Sequence, residues 1–547
     1  MGTVQPWLSL HCSLVGSARV VIIGGGHNGL VCAAYLARAG AQVTLLERRA
    51  LLGGACVTEE LWPGYRVSRA AYVLSLLRPR IARELELERF GLQLLPRAPS
   101  SFTPLPDGRS LVLGPDRAAN VAEIKRFSPR DARAFPAYEA LLERIAIALE
   151  PTLDAPPPEP WPRHPQDFLA WWLALRAGAR LGRDLPRAAR LLLGPARSLL
   201  EEWFDSEPLR TTLARDAVIG AFAAPSTPGT GYVLFHHVMG SISGHRGIWA
   251  YVRGGMGALS EALAAAARAA GVSLRTNAEV DRIRTGQDRA IGVALAGGEE
   301  IDAGVVVSAV DPARTFAALD NPGLLPDEFR RALDGLDFRS PVVKLNLALR
   351  ELPRFRVHDR PEPPLGGTIH LGPQNLDQIE HAFDDAQNGK VSSRPLVELT
   401  LPSVIDPTLA PAGRHVASIF AQYAPVLPSD NAAWPRLREQ MRDRVLAIVD
   451  EVAPGFSDSI EALEVLAAPE LEDVFGLTGG NIFHGAMTPD RLLFLRPLAG
   501  WSRYRTPVRG LYLCGSGTHP GGGVMGAPGR NAALAIARDL PRLLRGS

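Results

Sequence analysis

Lysine is almost absent from this chain: of 59 basic residues only Lys125, Lys344 and Lys390 are lysines. The arginine excess points to a GC-rich, bacterial coding background and makes each remaining lysine worth inspecting. Neither charge sign prevails, with 59 basic against 57 acidic residues and a formal net charge of +2. No global field therefore favours nucleic acid. Cysteine is scarce too. Cys12, Cys32, Cys56 and Cys514 show no CxxC or CxxxxC spacing, which argues against a disulfide framework, a zinc site and a dithiol redox centre, and suits a reducing compartment. The first eighteen residues hold no lysine or arginine, which the n-region of a secretory leader would need, and Pro6 stands where a myristoylation signal needs Ser or Thr. Residues 1–17 read as a loose extension. Long apolar spans are missing as well. The uncharged runs 20–37 and 217–245 are interrupted by glycine, and the second also by Pro225 and Pro228, so neither makes a spanning helix. The expectation is a soluble, cytoplasmic protein if bacterial, resting at most on a membrane surface.

Glycine, by contrast, is abundant, with 53 among 547 residues, and it concentrates at the two ends. RVVII (19–23) reads as a buried parallel strand and LVCAAYLARAG as a helix ending at Gly40. Between them Gly24, Gly26 and Gly29 form G-x-G-x-x-G, and AQVTLLE then supplies a second strand ending in Glu47. The first glycine permits the tight turn, the second lets a pyrophosphate approach the backbone, and the third lets helix pack on strand. The acid can accept from a ribose hydroxyl. Strand, turn, helix, strand and acid in this order make the dinucleotide reading specific. No second such unit appears, so a separate nicotinamide site is not indicated. At the other end GLYLCGSGTHPGGGVMGAPGRNAALAIARDL reads as strand, glycine loop and helix, with Pro528 in the first helical turn. Bare backbone through Gly515, Gly523, Val524, Met525 and Gly526 would let a flat ring lie close, and the helix N-terminus would favour negative charge on it.

RRALLGGACVTEE, with Gly53 and Gly54 beyond the second strand, resembles the extended dinucleotide motif of the FAD-dependent amine oxidase and carotenoid desaturase superfamily. Many members read GGR there. Ala55 replaces that arginine here, so that contact is either missing or supplied elsewhere, by Arg66 or Arg69. GSGTHPGGG is similar to the C-terminal signature of phytoene desaturase-like enzymes. SRAAYVLSLLRP, DAVIGAF, TPGTGYVLFHHVMG and GGNIFHGAM extend the likeness over nearly the whole chain to the pyridine nucleotide-disulfide oxidoreductase domain-containing protein 2 family, relatives of phytoene desaturase and retinol saturase. The resemblance implies one FAD gripped by both chain ends, with the backbone of Val280 at the adenine and His519 near the flavin. Animal members are associated with mitochondria.

Candidate chemistry is sparse, as flavin chemistry allows. His236 and His237 lie in the uncharged run, where one imidazole could face substrate as acid or base, or the two could form a hydrogen-bonded structural pair. His484 is a weaker candidate of the same kind. Lys344 shares a strand face with Asn346 and Ala348; it is either a lysine near the flavin, as in some amine oxidase relatives, or a solvated strand lysine. Residues 164–204 alternate arginines with Trp171, Trp172 and leucines at helical spacing, which suits a helical cap or a membrane-surface contact.

The expected fold is α/β. A Rossmann-like FAD domain comes from 18–80, 250–318 and 505–547, and a mixed-sheet substrate domain with a helical cap from 81–249 and 319–504. The expected activity is FAD-dependent oxidation of an apolar, isoprenoid-like molecule, with oxygen, a quinone or another carrier as acceptor, and no metal. A saturase or isomerase at the same site, or a flavin-free prenyl binder of the Rab GDP-dissociation inhibitor kind, are the alternatives.

Overall fold

The computed structural model describes residues 18–159, 165–242, 245–426 and 433–545; the expected extension 1–17 lies outside them. In chain order the elements used below begin with β1 (Arg19–Ile23), α1 (His27–Arg38), β2 (Gln42–Leu46), β3 (Ser101–Pro104) and β4 (Ser110–Leu113). A helical stretch follows: α2 (Pro129–Leu153), α3 (Pro165–Leu181), α4 (Leu185–Leu193), α5 (Glu207–Asp216), α6 (Thr230–Val238) and α7 (Gly257–Ala269). Next come β5 (Ser273–Arg275), β6 (Val280–Gly286), β7 (Arg289–Leu295), β8 (Val305–Ser308), β9 (Val342–Leu349) and β10 (Thr368–Leu371). The last are β11 (Leu396–Thr400), β12 (His415–Gln422), α8 (Trp434–Val452), β13 (Ile460–Leu466), β14 (Leu511–Leu513) and α9 (Ala527–Arg545).

Two sheets organise the molecule. The first is fully parallel, in the order β5-β2-β1-β8-β14. Its inner strands, RVVII and VVVS, are continuous apolar runs rather than alternating ones, as a sheet covered on both faces requires. Helix α1 is buried from Asn28 to Leu36, and α7 and α9 pack beside it in one core. Strand β14 docks against β8, so the end of the chain completes a sheet that its beginning started.

The second sheet is mixed, in the order β13-β9-β12-β11-β10-β3-β4, with β10 and β3 its one parallel pair. Every residue of β9 is buried. Val343, Leu345 and Leu347 share a core with Trp434, Met441 and Val445 of α8. The alternating face, Lys344 and Asn346, turns to the other side of the sheet. That side is closed over rather than wet, so the solvated-lysine reading is corrected. Helices α2, α4, α5 and α6 bury Phe135, Leu191, Leu209 and Phe235 together in a third core that caps one end of this sheet.

Candidate active site

The amino-terminal turn is built by close approach. Gly24 has φ +95° and its N–H donates to Leu46 O at 2.8 Å. A Cβ on Gly29 would stand 2.2 Å from Gly24 O, whereas one on Gly26 would meet nothing within 4 Å. Gly29 therefore seats the helix, and Gly26 faces open space. Gly26 is the N-cap of α1 with no side-chain cap and no acid in the first turn. The leading N–H groups of α1 are thus left for an anion. Glu47 accepts from Gly25 N at 2.8 Å and from Arg49 N at 2.9 Å, which fixes its carboxylate at the rim. Gly53 (φ +130°) donates to Gly25 O at 2.8 Å, and Gly54 backs onto Gly26 Cα. These residues and Val280 of β6 line a cavity of about 710 Å³.

A smaller inner cavity of about 170 Å³ adjoins it, and His27, Ala55, His484 and Ser516 line both. Here the two chain ends meet: Asn28 Nδ2 donates to Ser516 Oγ at 3.1 Å. From the carboxy-terminal loop, Gly523 and Val524 reach the inner cavity. Three other glycine-loop positions expected at the cofactor line neither cavity and make packing or backbone contacts instead. Gly515 lies against Ala309 O, Met525 O accepts from Arg78 N at 3.1 Å, and Gly526 packs on Ile81 and Val31.

Three further expectations need correction. His519 lines neither cavity; its Nε2 donates to Thr152 O at 3.2 Å, because the loop turns that ring toward α2. His236 also lines neither; its Nε2 donates to Gly522 O at 3.1 Å, bracing the loop from outside. Burial pushes it down to about 3, so it is a neutral strut. Its neighbour His237 does line the inner cavity, stacked on Trp249 and donating from Nδ1 to Val233 O at 2.9 Å. Burial holds it near 4. Lastly, Arg66 is exposed, while Arg69 is tied to Glu464 at 2.7 Å and to Glu59, so neither takes the place of the arginine that Ala55 lacks.

Arg496 is the cation that sequence reading missed. It is 2% exposed and donates to Phe483 O at 2.6 Å, Ser516 O at 2.9 Å and Ala486 O at 3.0 Å. Among the described residues no carboxylate pairs with it, and burial lowers it to about 10. Its sequence context, FLRPLAG, gives no sign that it is buried against backbone carbonyls. His27 was legible only as a variable position of the glycine motif, yet burial and the nearby His484 hold it near 4 at the junction of the two cavities.

Lys344 lines the inner cavity and is 2% exposed. Its Nζ donates to Asn346 Oδ1 at 2.9 Å and to Ser418 Oγ, and lies 4.7 Å from the centre of the Tyr72 ring. Burial lowers it to about 7, with Glu464 opposing the shift. An amine that changes charge near neutrality can hold or release a proton there.

The residues present fit FAD. One cavity is lined by both the glycine turn and Val280, the turn leaves room where a phosphate must approach, an acid lines it, and Gly523 brings bare backbone to the inner cavity. Fold and site together define a flavoprotein enzyme. The family model described as flavin containing amine oxidoreductase matches residues 29–537. The chain is 47% identical over 544 residues to pyridine nucleotide-disulfide oxidoreductase domain-containing protein 2 of Rattus norvegicus, covering 96% of this chain and 94% of that one. It is 28% identical over 547 residues to a limonene dehydrogenase subunit from Castellaniella defragrans, covering 96% of each. Among solved structures, cyclohexylamine oxidase from Brevibacterium oxydans shares the fold, with a TM-score of 0.56 at 18% identity over 96% of this chain and 99% of that one. The chain belongs to the flavin-containing amine oxidoreductase family and, within it, to the group of pyridine nucleotide-disulfide oxidoreductase domain-containing protein 2. Its cofactor is FAD and it is an oxidoreductase.

Proposed function

We propose that the protein oxidises a largely apolar, isoprenoid-like molecule by hydride or electron transfer in the inner cavity. One observation carries this: Lys344 is the only lysine lining a cavity otherwise walled by groups such as Ile219, Val342, Phe420, Leu471 and Phe483. Apolar walls hold a hydrocarbon and exclude water, and holding a C–H bond in place is much of what the protein must contribute. Bound FAD supplies the two-electron acceptor. When a hydride equivalent leaves one carbon, the adjoining atom must lose a proton to complete the double bond. Lys344 Nζ, uncharged above about pH 7, accepts that proton, and Asn346 and Ser418 hold the resulting ammonium. His237 keeps its ring neutral and acts as wall. Oxygen, a quinone or another carrier then takes the electrons onward. The relative named as part of a limonene dehydrogenase supports an apolar substrate.

The test is anaerobic. Holoprotein mixed with apolar isoprenoid compounds should lose its visible flavin absorption with at least one of them. Protein that stays colourless and gains no thermal protection from added FAD overturns the reading.

The helical cap supports a peripheral membrane contact as well. Phe168, Leu169, Trp172, Leu175 and Leu193 are each more than half exposed, on α3 and α4, and arginines lie among them. No helix among the described residues is long and apolar enough to cross a membrane.

A further inference from the structure

Beyond the inner cavity lies a second chamber of about 540 Å³ that the reaction above does not use. Strand register explains its position. Residues directly opposite one another on neighbouring strands point to the same face of a sheet. Lys344 of β9 is opposite Phe420 of β12, Phe420 is opposite Glu398 of β11, and Glu398 is opposite His370 of β10. Four side chains therefore form one row across one face. Lys344 and Phe420 floor the inner cavity, while Glu398 and His370 floor the second chamber. Ile219 and Trp249 line both spaces, so the chamber abuts the inner cavity at these two side chains. Outward the chamber passes Glu139 and Glu143 to Arg117, whose side chain is 62% exposed.

Several of the chamber's polar atoms lack partners, although the Tyr72 hydroxyl hydrogen-bonds to Glu398. Glu398 is 4% exposed and His370 6%. Nδ1 of His370 makes no hydrogen bond, and the nearest Glu398 oxygen is 3.8 Å from it. The Asp216 carboxylate, at the end of α5, lines the chamber without an ion pair among the described residues. Arg97 spends Nη2 on Ser100 O and Thr368 Oγ1 but leaves Nε and Nη1 unmatched. Buried polar atoms are nearly always matched, so this many open positions in one connected space mark a place for a polar guest.

Charge decides which guest. At its inner end Arg97, with Arg215 outside the lining, opposes Asp216 and Glu398, and Arg117, Arg246, Glu139 and Glu143 line the rest. An ionised end of a ligand would shed its water there and find no net opposite charge. An uncharged hydrogen-bonding end loses little and meets both donors and acceptors. Burial raises both Asp216 and Glu398 to about 7, so above that pH the two signs balance, with the carboxylates accepting and Arg97 donating.

We propose that this chamber is a head-group subsite for the uncharged polar end, a hydroxyl or a carbonyl, of an otherwise apolar substrate whose reacting carbon lies beside Lys344. The assignment rests on the inner cavity being the reaction site. Two strand spacings, about 10 Å, separate Glu398 from Lys344 in the row, which sets the distance between polar end and reacting carbon.

The experiment uses flavin-loaded protein and reads binding through the visible spectrum of the bound flavin and through thermal shift. The probes are farnesol, farnesal, farnesoic acid, farnesylamine and the hydrocarbon farnesane. Farnesol and farnesal should bind about tenfold more tightly than the other three, the value of one added hydrogen bond. In Asp216→Leu or Glu398→Met that advantage over farnesane should vanish. Equal affinities across the series, tighter binding of either charged probe, or no binding at all overturns the proposal, even where both variants fail to fold. Selective binding without anaerobic bleaching would instead leave the subsite standing and count against the oxidation chemistry. Bleaching without selectivity would do the reverse.

Discussion

Asn28 and Ser516 are 488 positions apart in sequence and joined by a 3.1 Å hydrogen bond. The bond ties the first turn of α1 to the loop before α9. A Cβ on Gly529 would stand 2.2 Å from Asn28 O, so these two helices meet at their N-termini with no side chain between them. Both glycine turns thereby face one cleft.

The glycines of the first turn should separate by experiment. Gly26→Ala adds a methyl to open space at φ −67°, an ordinary helical-entrance value. Flavin-free Gly26→Ala should unfold within about 0.5 kcal/mol of wild type yet bind FAD at least about tenfold more weakly, where the methyl meets the phosphates. Gly29→Ala drives a methyl into Gly24 O and should cost about 1–3 kcal/mol before any flavin is added. Calorimetry without FAD and a flavin titration check both.

Lys344 sets a pH dependence with a defined sign. Its folded value is lowered from 10.5 to about 7, so the unfolded chain binds more protons between those values. Stability therefore rises with pH from about 7 to about 10.5. Lys344→Met should flatten that rise. In the same variant flavin reduction by substrate should fall about a hundredfold and lose the limb that climbs through about pH 7. Denaturant midpoints and anaerobic stopped-flow traces across pH give the two readouts.

Asp216 and Glu398 act in the opposite sense. Both are raised to about 7 from ordinary values of 3.8 and 4.5, so the folded state holds the extra protons. The stability they contribute is complete below about pH 4 and is lost as pH climbs through about 7. Asp216→Asn combined with Glu398→Gln should remove that decline, so the variant gains on wild type between pH 5 and pH 8 in paired thermal melts, by about 1 kcal/mol or more. A variant that tracks wild type at both values would show that these carboxyls are not held high.

The membrane contact is tested on the cap. Wild type should co-sediment with vesicles of mixed neutral and anionic lipid, and Trp172→Ser with Leu175→Ser and Leu193→Ser should lose most of that binding, since each removed apolar contact weakens partition. Failure of wild type to sediment rejects the contact.

What the residues disclosed depended on how local the cause was. Gly24, Gly26, Gly29 and Glu47 act within one strand–helix–strand unit, so spacing alone placed them. Gly523 and Val524 were legible for the same reason. His236 and His519 misled because an imidazole near a glycine loop can face either way, and carbonyls of Gly522 and Thr152 decided the matter. Arg496 stayed hidden because its partners are backbone oxygens, which leave no pattern. The row from Lys344 to His370 needs the register of four strands drawn from across the substrate sheet, and no single stretch encodes it.

The pairing of β14 with β8 also fixes when the cofactor site can exist during synthesis. A nascent chain still tethered at the ribosome near residue 500 has made β1, β2, β5 and β8 but leaves an unpaired apolar edge on β8 and an uncovered flank on α1. Residues 511–545 must leave the exit tunnel before that edge is sealed, so the site cannot close on FAD until then, and a premature stop before β14 removes the flavin end while leaving β1, β2, β5 and β8 intact.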